Sequence, residues 1–192
     1  MAELVVLASG SGSNFQAIVE RVRTTRHRVS ALITNTPDAY AIRRAESLGV
    51  ASIVVDYASG RSAAESQLLD LLTTLDPDLI ALAGFMKVLP PPIVDAFAPA
   101  IYNIHPSLLP DFPGLNAIER SWKSDASRLG ITIHYVDAGV DTGTVIEQHS
   151  FAREEASSLE EAEAQIHALE HSHYPRVLCE ALDRLDDRRS AM

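Results

Sequence analysis

The stretch LVVLASGSGSNFQAIVERV (residues 4–22) decides the fold of this 192-residue chain. It begins with an apolar run that is typical of a buried strand, continues through a glycine-rich turn and ends in a helical pattern. The same alternation is repeated in VSALIT, ASIVVD and DLIALA, which are separated by helical patterns. Strands that are apolar on both faces and alternate with helices predict a parallel sheet that is covered on both sides.

The pattern changes after about residue 100. IYNI predicts another buried strand, whereas HPSLLPDFPGLN (residues 105–116) has three prolines and no periodicity, which favours a functional loop. GITIHYV and TVIEQHSF predict two further strands joined through DAGVDTG, followed by a helix from about Ser158 to Leu185 that Pro175 kinks or divides. We therefore predict a single-domain α/β fold with an open, mostly parallel, Rossmann-like sheet, helices on both faces, and a carboxyl-terminal part with antiparallel strands and a long helix.

We expect one domain over residues 1–192, with a βαβ half over about 1–100, a second half over about 101–186 and a frayed tail at 187–192. The 16 basic and 26 acidic residues give a formal charge of −10, which argues against nucleic acid and anionic membranes as partners. Cys179 is the single cysteine, so we expect it to pack in the core of a protein in a reducing compartment. We find no signal segment and no apolar run of the roughly 18 residues that a membrane span needs, and we expect a cytoplasmic protein.

The glycine-rich turn SGSGSN (residues 9–14) permits three interpretations. Gly10 and Gly12 allow close approach of a ligand, and the helix that follows offers free N–H groups to a phosphate. A dinucleotide fits less well, because Phe15 stands where the third glycine of that fingerprint belongs and the second strand ends in TNT, without a ribose-binding acid. The third interpretation is a tight connection in which Ser13 or Asn14 is only the helix N-cap.

A second group of polar residues follows the predicted strand IYNI. Asn103 and His105 stand at its carboxyl end, where ligands of open α/β sheets bind. Asp141 or Asp137, in the loop DAGVDTG, can fold back to His105 and favour its protonated form. Considered separately, the histidine is more typical of a hydrogen-bonded structural residue than of a catalytic one, and either acid is also typical of a turn former.

Five motifs follow one another along the chain: SGSGSNFQAI, LAGFMKVL, NIHPSLLPDFPG, the DTG of VDTGTVI, and LEHSHYP. In order and spacing they resemble the phosphoribosylglycinamide formyltransferases, the folate-dependent enzymes of purine synthesis, over nearly the whole chain. The NIHPSLLP-like loop and the Asp-x-Gly turn also occur in other 10-formyltetrahydrofolate enzymes. Their combination with SGSGSN and EHxxYP is more specific.

The resemblance implies transfer of a formyl group from 10-formyltetrahydrofolate to the glycinamide amine of 5-phosphoribosylglycinamide. The first half would then bind phosphate, and the second half would bind folate and catalyse. The implied catalytic residues are Asn103, His105 and Asp141. The implied substrate-binding residues are Gly12, Ser13, Asn14 and Glu170, and the implied folate-binding residues are Arg61, Met86, Lys87, Val88, Leu89 and Asn103.

The implied chemistry is direct attack of the amine on the formyl carbon, with His105 and Asn103 stabilising the oxyanion and Asp141 orienting His105 and assisting proton movement. No metal is expected, because the chain has no C-x-x-C pair and its seven histidines are dispersed. His134 and His149 are interpreted as strand residues, and His167, His171 and His173 as helix-face residues. The expected partners are the two small-molecule substrates, and both a monomer and a homodimer remain open.

Four positions depart from the usual family pattern: Lys87 stands for arginine, Asn116 and Ala117 replace a histidine-containing pair, and Thr142 replaces a glycine. Two competing interpretations remain. One is another formyl-folate enzyme, namely a hydrolase or a transferase acting on methionyl-tRNA or an amino sugar. The other is a non-catalytic module that binds a phosphate or nucleotide. The hydrolases carry an additional amino-terminal domain and the tRNA enzyme an additional carboxyl-terminal one, which the length of this chain disfavours.

Overall fold

The computed structural model describes residues 1–190 and contains one seven-stranded sheet. The strands are β1 (Glu3–Leu7), β2 (Arg28–Thr34), β3 (Ala51–Val54), β4 (Leu79–Leu82), β5 (Ile101–His105), β6 (Arg128–Tyr135) and β7 (Val145–Ala152). The helices are α1 (Ser13–Val22), α2 (Tyr40–Ser47), α3 (Arg61–Leu75), α4 (Pro91–Phe97), α5 (Ala117–Trp122) and α6 (Leu159–Ser190). Within residues 1–190, no helix combines the length and apolar content that a membrane crossing requires.

The strand order is β3-β2-β1-β4-β5-β6-β7. β1 to β5 are parallel, β6 is antiparallel to β5, and β7 is antiparallel to β6. The predicted fold class is therefore confirmed, including the antiparallel carboxyl-terminal strands. Because β1 lies between β2 and β4, the chain reverses its winding direction at β1 and β4, and a crevice opens there beyond the carboxyl ends of the strands.

Two apolar cores cover the two faces of the sheet. One face packs against α1, α2 and α6, through residues such as Phe15, Ile18 and Ile166. The other packs against α3 and α4, through residues such as Leu68 and Ile93. Strands that are buried on both faces explain the near-continuous apolar runs of the sequence. Cys179 is buried in the first core as expected, and burial raises the pKa of its thiol.

The hydroxyl of Tyr174 attaches α6 to the centre of the sheet. Tyr174 is fully buried, and its hydroxyl donates to the main-chain carbonyls of Leu82, at 3.1 Å, and Tyr102, at 2.9 Å. Leu82 ends β4, and Tyr102 precedes the polar end of β5. This contact therefore fixes the helix against the two strands that lead into the crevice.

Three local features differ from the sequence analysis. α5 was not predicted, because a six-residue helix is too short to show a clear period. α6 continues past Pro175 without a division. Residues 187–190, predicted as part of a frayed tail, belong to α6, whose end forms ion pairs between Arg189 and Asp78 and between Arg26 and Asp187; residues 191–192 lie outside the described residues.

Replacing Tyr174 by phenylalanine removes one buried hydrogen-bond donor while retaining the ring. We expect the free energy of unfolding to fall by about 1–3 kcal/mol, because two buried carbonyls lose a shared donor. Urea unfolding followed by circular dichroism measures the change. Tyr40→Phe is the control, since Tyr40 is 52% exposed, and we expect no change above about 0.5 kcal/mol for it. Equal stability of Tyr174→Phe and wild type would contradict a structural role for the hydroxyl.

Candidate active site

The glycine-rich turn connects β1 to α1 in a backbone conformation that requires glycine. Gly12 has φ 74° and is the N-cap of α1, with no side chain bonded to the first turn of the helix. A Cβ atom at this position would lie 2.7 Å from Cβ and 2.8 Å from Cα of Ala41 in α2. The N-cap is therefore Gly12 and not Ser13 or Asn14, which corrects one of the three sequence interpretations. The N–H groups at the helix start face the crevice uncapped by a side chain, as an anion site requires.

Hydrogen bonds hold the turn against neighbouring elements. The main-chain N–H of Ala41 donates to the carbonyl of Gly10 at 3.1 Å, and that of Ser9 donates to the carbonyl of Gly84 at 3.0 Å. The Ser9 hydroxyl also accepts from the main-chain N–H of Met86 at 2.7 Å. The turn and the segment 84–89 therefore form one continuous wall of the crevice.

Three implied catalytic side chains meet at the end of β5. Asn103 and His105 lie in β5, and Asp141 reaches them from the loop between β6 and β7. Asp141 Oδ2 lies 3.2 Å from His105 Nδ1, and Asp141 Oδ1 accepts from the Asn103 amide at 3.3 Å. The structure thus brings together three residues that are up to 38 positions apart in the sequence.

Both nitrogens of the His105 ring face hydrogen-bond acceptors. Nε2 lies 2.9 Å from the main-chain carbonyl of Phe112, and Nδ1 faces the Asp141 carboxylate. A carbonyl and a carboxylate can only accept, so the ring satisfies both contacts when it carries both protons. Both ring nitrogens of the buried His105 are therefore engaged, one by the Asp141 carboxylate and one by the Phe112 carbonyl.

The Asp141 carboxylate has further partners that keep it ionised. Burial raises its pKa, but the neighbouring His134, the hydrogen bond from the main-chain N–H of Gly114 and the neighbouring His105 outweigh burial and leave the pKa below its ordinary value. The Gly114 bond measures 2.8 Å, and His134 Nε2 lies 3.6 Å from Asp141 Oδ1. His134 Nε2 also lies 3.1 Å from the Asn103 amide nitrogen. His134, interpreted from the sequence as a plain strand residue, therefore adjoins the site.

The second acid of the same loop has a different environment. Asp137 Oδ1 accepts from the main-chain N–H of Gly139 at 2.9 Å and from the Thr142 hydroxyl at 2.7 Å. Both contacts lie within the loop, so Asp137 shapes the turn and Asp141 is the acid that contacts His105. Thr142, a departure from the family pattern, thereby gains a partner that glycine would lack.

Glu170 forms the opposite side of the crevice. Its side chain extends from α6 and is buried. It accepts from the Asn14 amide at 3.0 Å and lies 2.8 Å from His167 Nδ1. This hydrogen bond to Glu170 raises the pKa of His167 despite an opposing effect of burial. The helix start at Asn14 and the carboxylate of α6 are therefore linked directly.

A cavity of about 710 Å³ joins these groups, within the range usual for small-molecule sites. Eleven of the twelve residues implied by the resemblance line this cavity: Gly12, Ser13, Asn14, Met86, Lys87, Val88, Leu89, Asn103, His105, Asp141 and Glu170. Arg61 is the exception: it does not line the cavity, and its guanidinium pairs with Glu65 at 2.6 Å in α3. A role of Arg61 toward a folate tail thus stays a prediction.

The mouth of the cavity is apolar and exposed. Met86, Val88, Leu115 and Val140 all line it and are between 48% and 69% exposed. Such a cluster of large apolar side chains is typical of a ligand-binding surface. Beside it, the Lys87 ammonium lies 5.0 Å from the centre of the Tyr57 ring, within the distance of a cation–π contact.

Three non-glycine residues around the cavity have left-handed backbone conformations. Phe112, Asn116 and Asp141 each have φ 55°. Such conformations cost of the order of 1 kcal/mol each and persist where the surrounding structure enforces them, often at functional sites. In this region the Phe112 carbonyl and the Asp141 carboxylate both contact His105, and the Gly114 N–H donates to Asp141.

Comparison with known proteins shows to which protein family this chain belongs. The sequence profile described as formyl transferase matches residues 2–178. The chain belongs to the formyl transferase family. A phosphoribosylglycinamide formyltransferase from Bacillus subtilis is 40% identical over 186 residues, which cover 95% of both proteins.

Solved structures of formyl transferases agree with this assignment. The crystal structure of glycinamide ribonucleotide transformylase 1 from Geobacillus kaustophilus matches with a TM-score of 0.89 and 42% identity, over 95% of this chain and 99% of that one. The phosphoribosylglycinamide formyltransferase of Streptococcus pneumoniae matches with a TM-score of 0.87 and 39% identity, over 94% and 98% of the two chains. The resemblance inferred from the motifs is confirmed, and the chain is an enzyme of this family.

Replacing Asp141 by asparagine in this formyl transferase tests the charge of the carboxylate. Because the pKa of Asp141 is lower in the folded protein than its ordinary value of 3.8, ionisation contributes stability that is present above that value and is lost as the pH falls through the folded pKa. We expect wild type to be more stable than Asp141→Asn at pH 7, and the difference to shrink as the pH falls below about 4. Urea unfolding at a series of pH values measures this difference. A difference that stays constant down to pH 3 would contradict a stabilising charge at Asp141.

Proposed function

We propose that the chain transfers the formyl group of 10-formyltetrahydrofolate to the glycinamide amine of 5-phosphoribosylglycinamide, in purine biosynthesis. The products are 5-phosphoribosyl-N-formylglycinamide and tetrahydrofolate. The observation that carries this proposal is the contact of the Asp141 carboxylate with both His105 and Asn103 inside a cavity that also opens onto the glycine-rich turn. A single cavity thus contacts both the glycine-rich turn, which suits an anion, and a group of side chains that can donate or accept protons.

The glycine-rich turn is the phosphate-binding end in this proposal. The uncapped start of α1 at Gly12, Ser13 and Asn14 offers main-chain N–H groups to the substrate phosphate. A protein with a formal charge of −10 needs such local donors to hold an anion. Glu170, already bonded to Asn14, faces the same cavity and is suited to accept from the N–H or hydroxyl groups of the substrate.

The apolar mouth is the folate-binding end. The segment Met86–Leu89 lines one side of the cavity, and residues 137–141 line the other. Main-chain groups of these segments suit the polar edge of a pteridine, and the side chains of Val88 and Val140 suit its faces. Leu115, 69% exposed, extends the apolar surface outward. The residues present therefore fit a flat, amphipathic co-substrate.

The catalytic side chains suit attack of a neutral amine on a formyl carbon. Negative charge then develops on the formyl oxygen, and the charged His105 ring and the Asn103 amide stabilise it. The contact from Asn103 to Asp141 is long, at 3.3 Å, so the amide can exchange this acceptor for the formyl oxygen at little cost. Asp141 holds His105 in its charged form and assists transfer of the amine proton to the folate nitrogen that leaves. Each proton lost by the amine is thus returned to the leaving group.

Two other functions use part of the same site. A hydrolase or an amino-sugar formyltransferase would keep Asn103, His105 and Asp141 but would not need phosphoribosylglycinamide. A non-catalytic phosphate-binding module would keep Gly12 but would gain nothing from placing Asp141 against a buried His105. The dependence of turnover on the acceptor distinguishes these functions.

The proposal is tested with purified protein, 10-formyltetrahydrofolate and phosphoribosylglycinamide, following the deformylated folate by absorbance. We expect turnover only when the acceptor is present. Folate release without the acceptor would indicate a hydrolase, turnover with an amino sugar alone would indicate the other transferase, and no turnover in any mixture would favour the binding module.

Replacement of His105 by alanine tests the catalytic role within the same assay. We expect kcat to fall by about 10²- to 10⁴-fold, because a positive charge beside the reacting oxygen is lost. The dissociation constants of both substrates should change less than about threefold, because binding relies on the two ends of the cavity. His171→Ala, an exposed histidine of α6, is the matched control and should retain full activity. A parallel loss of binding and turnover in His105→Ala would argue against catalysis by His105.

A further inference from the structure

A second group of ionisable side chains lies on the other face of the sheet. Asn103 and His105 pair in register with His134 and Thr132, whereas Glu147 and His149 of β7 pair with Ile133 and Ile131 of β6. Successive strand residues point to opposite faces, so Glu147 and His149 face away from the candidate active site. On that face they meet His173 of α6. We call Glu147, His149 and His173 the β7–α6 cluster.

The three side chains of the β7–α6 cluster converge. One potential ligand atom from each residue lies within 4.8 Å of the others. His149 Nε2 is 2.6 Å from Glu147 Oε1, and the rings of His149 and His173 are stacked with centroids 3.3 Å apart. Nδ1 of His173 is buried and has no hydrogen-bond partner among the described residues. A buried ring nitrogen without a partner is unusual and requires an explanation.

We propose that the β7–α6 cluster binds a divalent transition-metal ion, of which Zn²⁺ is the representative. Two imidazoles and one carboxylate are ligands that Zn²⁺ accepts, and three protein ligands leave a fourth position to water. The unpartnered Nδ1 of His173 then gains a partner, and so does the second oxygen of the Glu147 carboxylate. The site lies outside the cavity and is independent of the proposed function.

Metal binding requires defined movements of the side chains. Tetrahedral zinc places its ligand atoms about 3.4 Å apart, so atoms now as much as 4.8 Å apart must approach by up to about 1.4 Å, whereas His149 Nε2 and Glu147 Oε1, at 2.6 Å, must separate by about 0.8 Å. The two rings are nearly parallel, at 13°, so their lone pairs lie in stacked planes and one ring must rotate out of the stack for both to reach one ion.

The nearest positive charge has an alternative partner. Arg176 contacts Glu147 at 2.5 Å, and a metal ion would compete with it for that carboxylate. Arg176 also pairs with Glu180 at 2.8 Å, one turn further along α6. Displacement by the metal therefore leaves the guanidinium paired with Glu180.

The protonation state of His173 suits a ligand. Burial lowers the pKa of His173, and the nearby His149 and Arg176 lower it further, against an opposing effect of Glu147. Metals bind the neutral imidazole, and this environment favours that form. The bound ion would join the edge strand β7 to α6, and it would thereby stabilise an edge of the sheet that has no further strand among the described residues.

The test is calorimetric titration of the chelator-treated full chain with ZnCl₂, together with thermal unfolding with and without the ion. We expect one Zn²⁺ ion per chain and a rise in Tm. His149→Ala and His173→Ala should each weaken Zn²⁺ binding by at least about tenfold and abolish the Tm rise, because each removes one of three ligands. Arg176→Gln should tighten binding, because it removes the competing cation. Unfolding of each variant without zinc verifies that it is folded, and His149→Ala, at a partly exposed position, serves if His173→Ala does not fold.

His171→Ala is the matched control. His167 and His171 are four residues apart on α6, with ring centroids 6.3 Å apart, and such a pair is a competing place for zinc. If the β7–α6 cluster is the site, His171→Ala should bind one Zn²⁺ ion with the same affinity as wild type. Loss of binding in His171→Ala with binding retained in His149→Ala and His173→Ala would overturn the proposal, and so would absence of binding by the wild-type chain.

Discussion

The contact between the Asp141 carboxylate and His105 is the interaction on which the candidate site depends. A carboxylate removed from water is costly unless charges and hydrogen bonds compensate it. Asp141 obtains them from His105 and Asn103 of β5, from the main-chain N–H of Gly114 and from His134 of β6. Its partners thus come from three separate segments, and it holds those segments in one arrangement at the end of β5.

The topology of the sheet explains why these segments meet. β1, β4 and β5 are neighbours, so the glycine-rich turn, the segment 84–89 and His105 all follow strands at the same edge. The crevice of an open α/β sheet lies at this edge, where the winding reverses. Tyr174 fixes β4 and β5 from behind through their carbonyls, so α6 supports the site and also contributes Glu170 to it. The antiparallel turn after β6 then brings Asp141 over the strand ends.

Much of this arrangement could be predicted from local patterns. Apolar strands that alternate with helices predicted the parallel sheet. The position of Asn103 and His105 at the carboxyl end of a strand predicted that they lie at the crevice. The choice between Asp137 and Asp141 could not be made, because both lie in one glycine-bearing turn and only the backbone at Asp141, with φ 55°, aims its carboxylate at His105. The reason for glycine at position 12 could not be inferred from the sequence either, because it depends on the close approach of Ala41 in another helix.

The other features that the sequence did not predict depend on contacts between elements that are distant along the chain. His134 adjoins the site only because β6 pairs antiparallel with β5, opposite Asn103. The β7–α6 cluster joins a strand to a helix, and neither the spacing of Glu147 and His149 nor the position of His173 signals their meeting. A folate-binding role of Arg61 stays a prediction, because this residue pairs with Glu65 one turn further along α3 and does not line the cavity.

The most direct measurement is a double-mutant cycle on kcat for acceptor-dependent formyl transfer, with Asp141→Asn, His105→Gln and the double variant. If Asp141 acts by holding His105 charged and oriented, its loss should cost little once His105 is gone. We predict that the double variant is about as slow as the slower single variant, with a coupling of at least about tenfold, or roughly 1.4 kcal/mol. Losses that multiply independently would show that the two residues act separately, and the contact at 3.2 Å would then not be the interaction that organises catalysis.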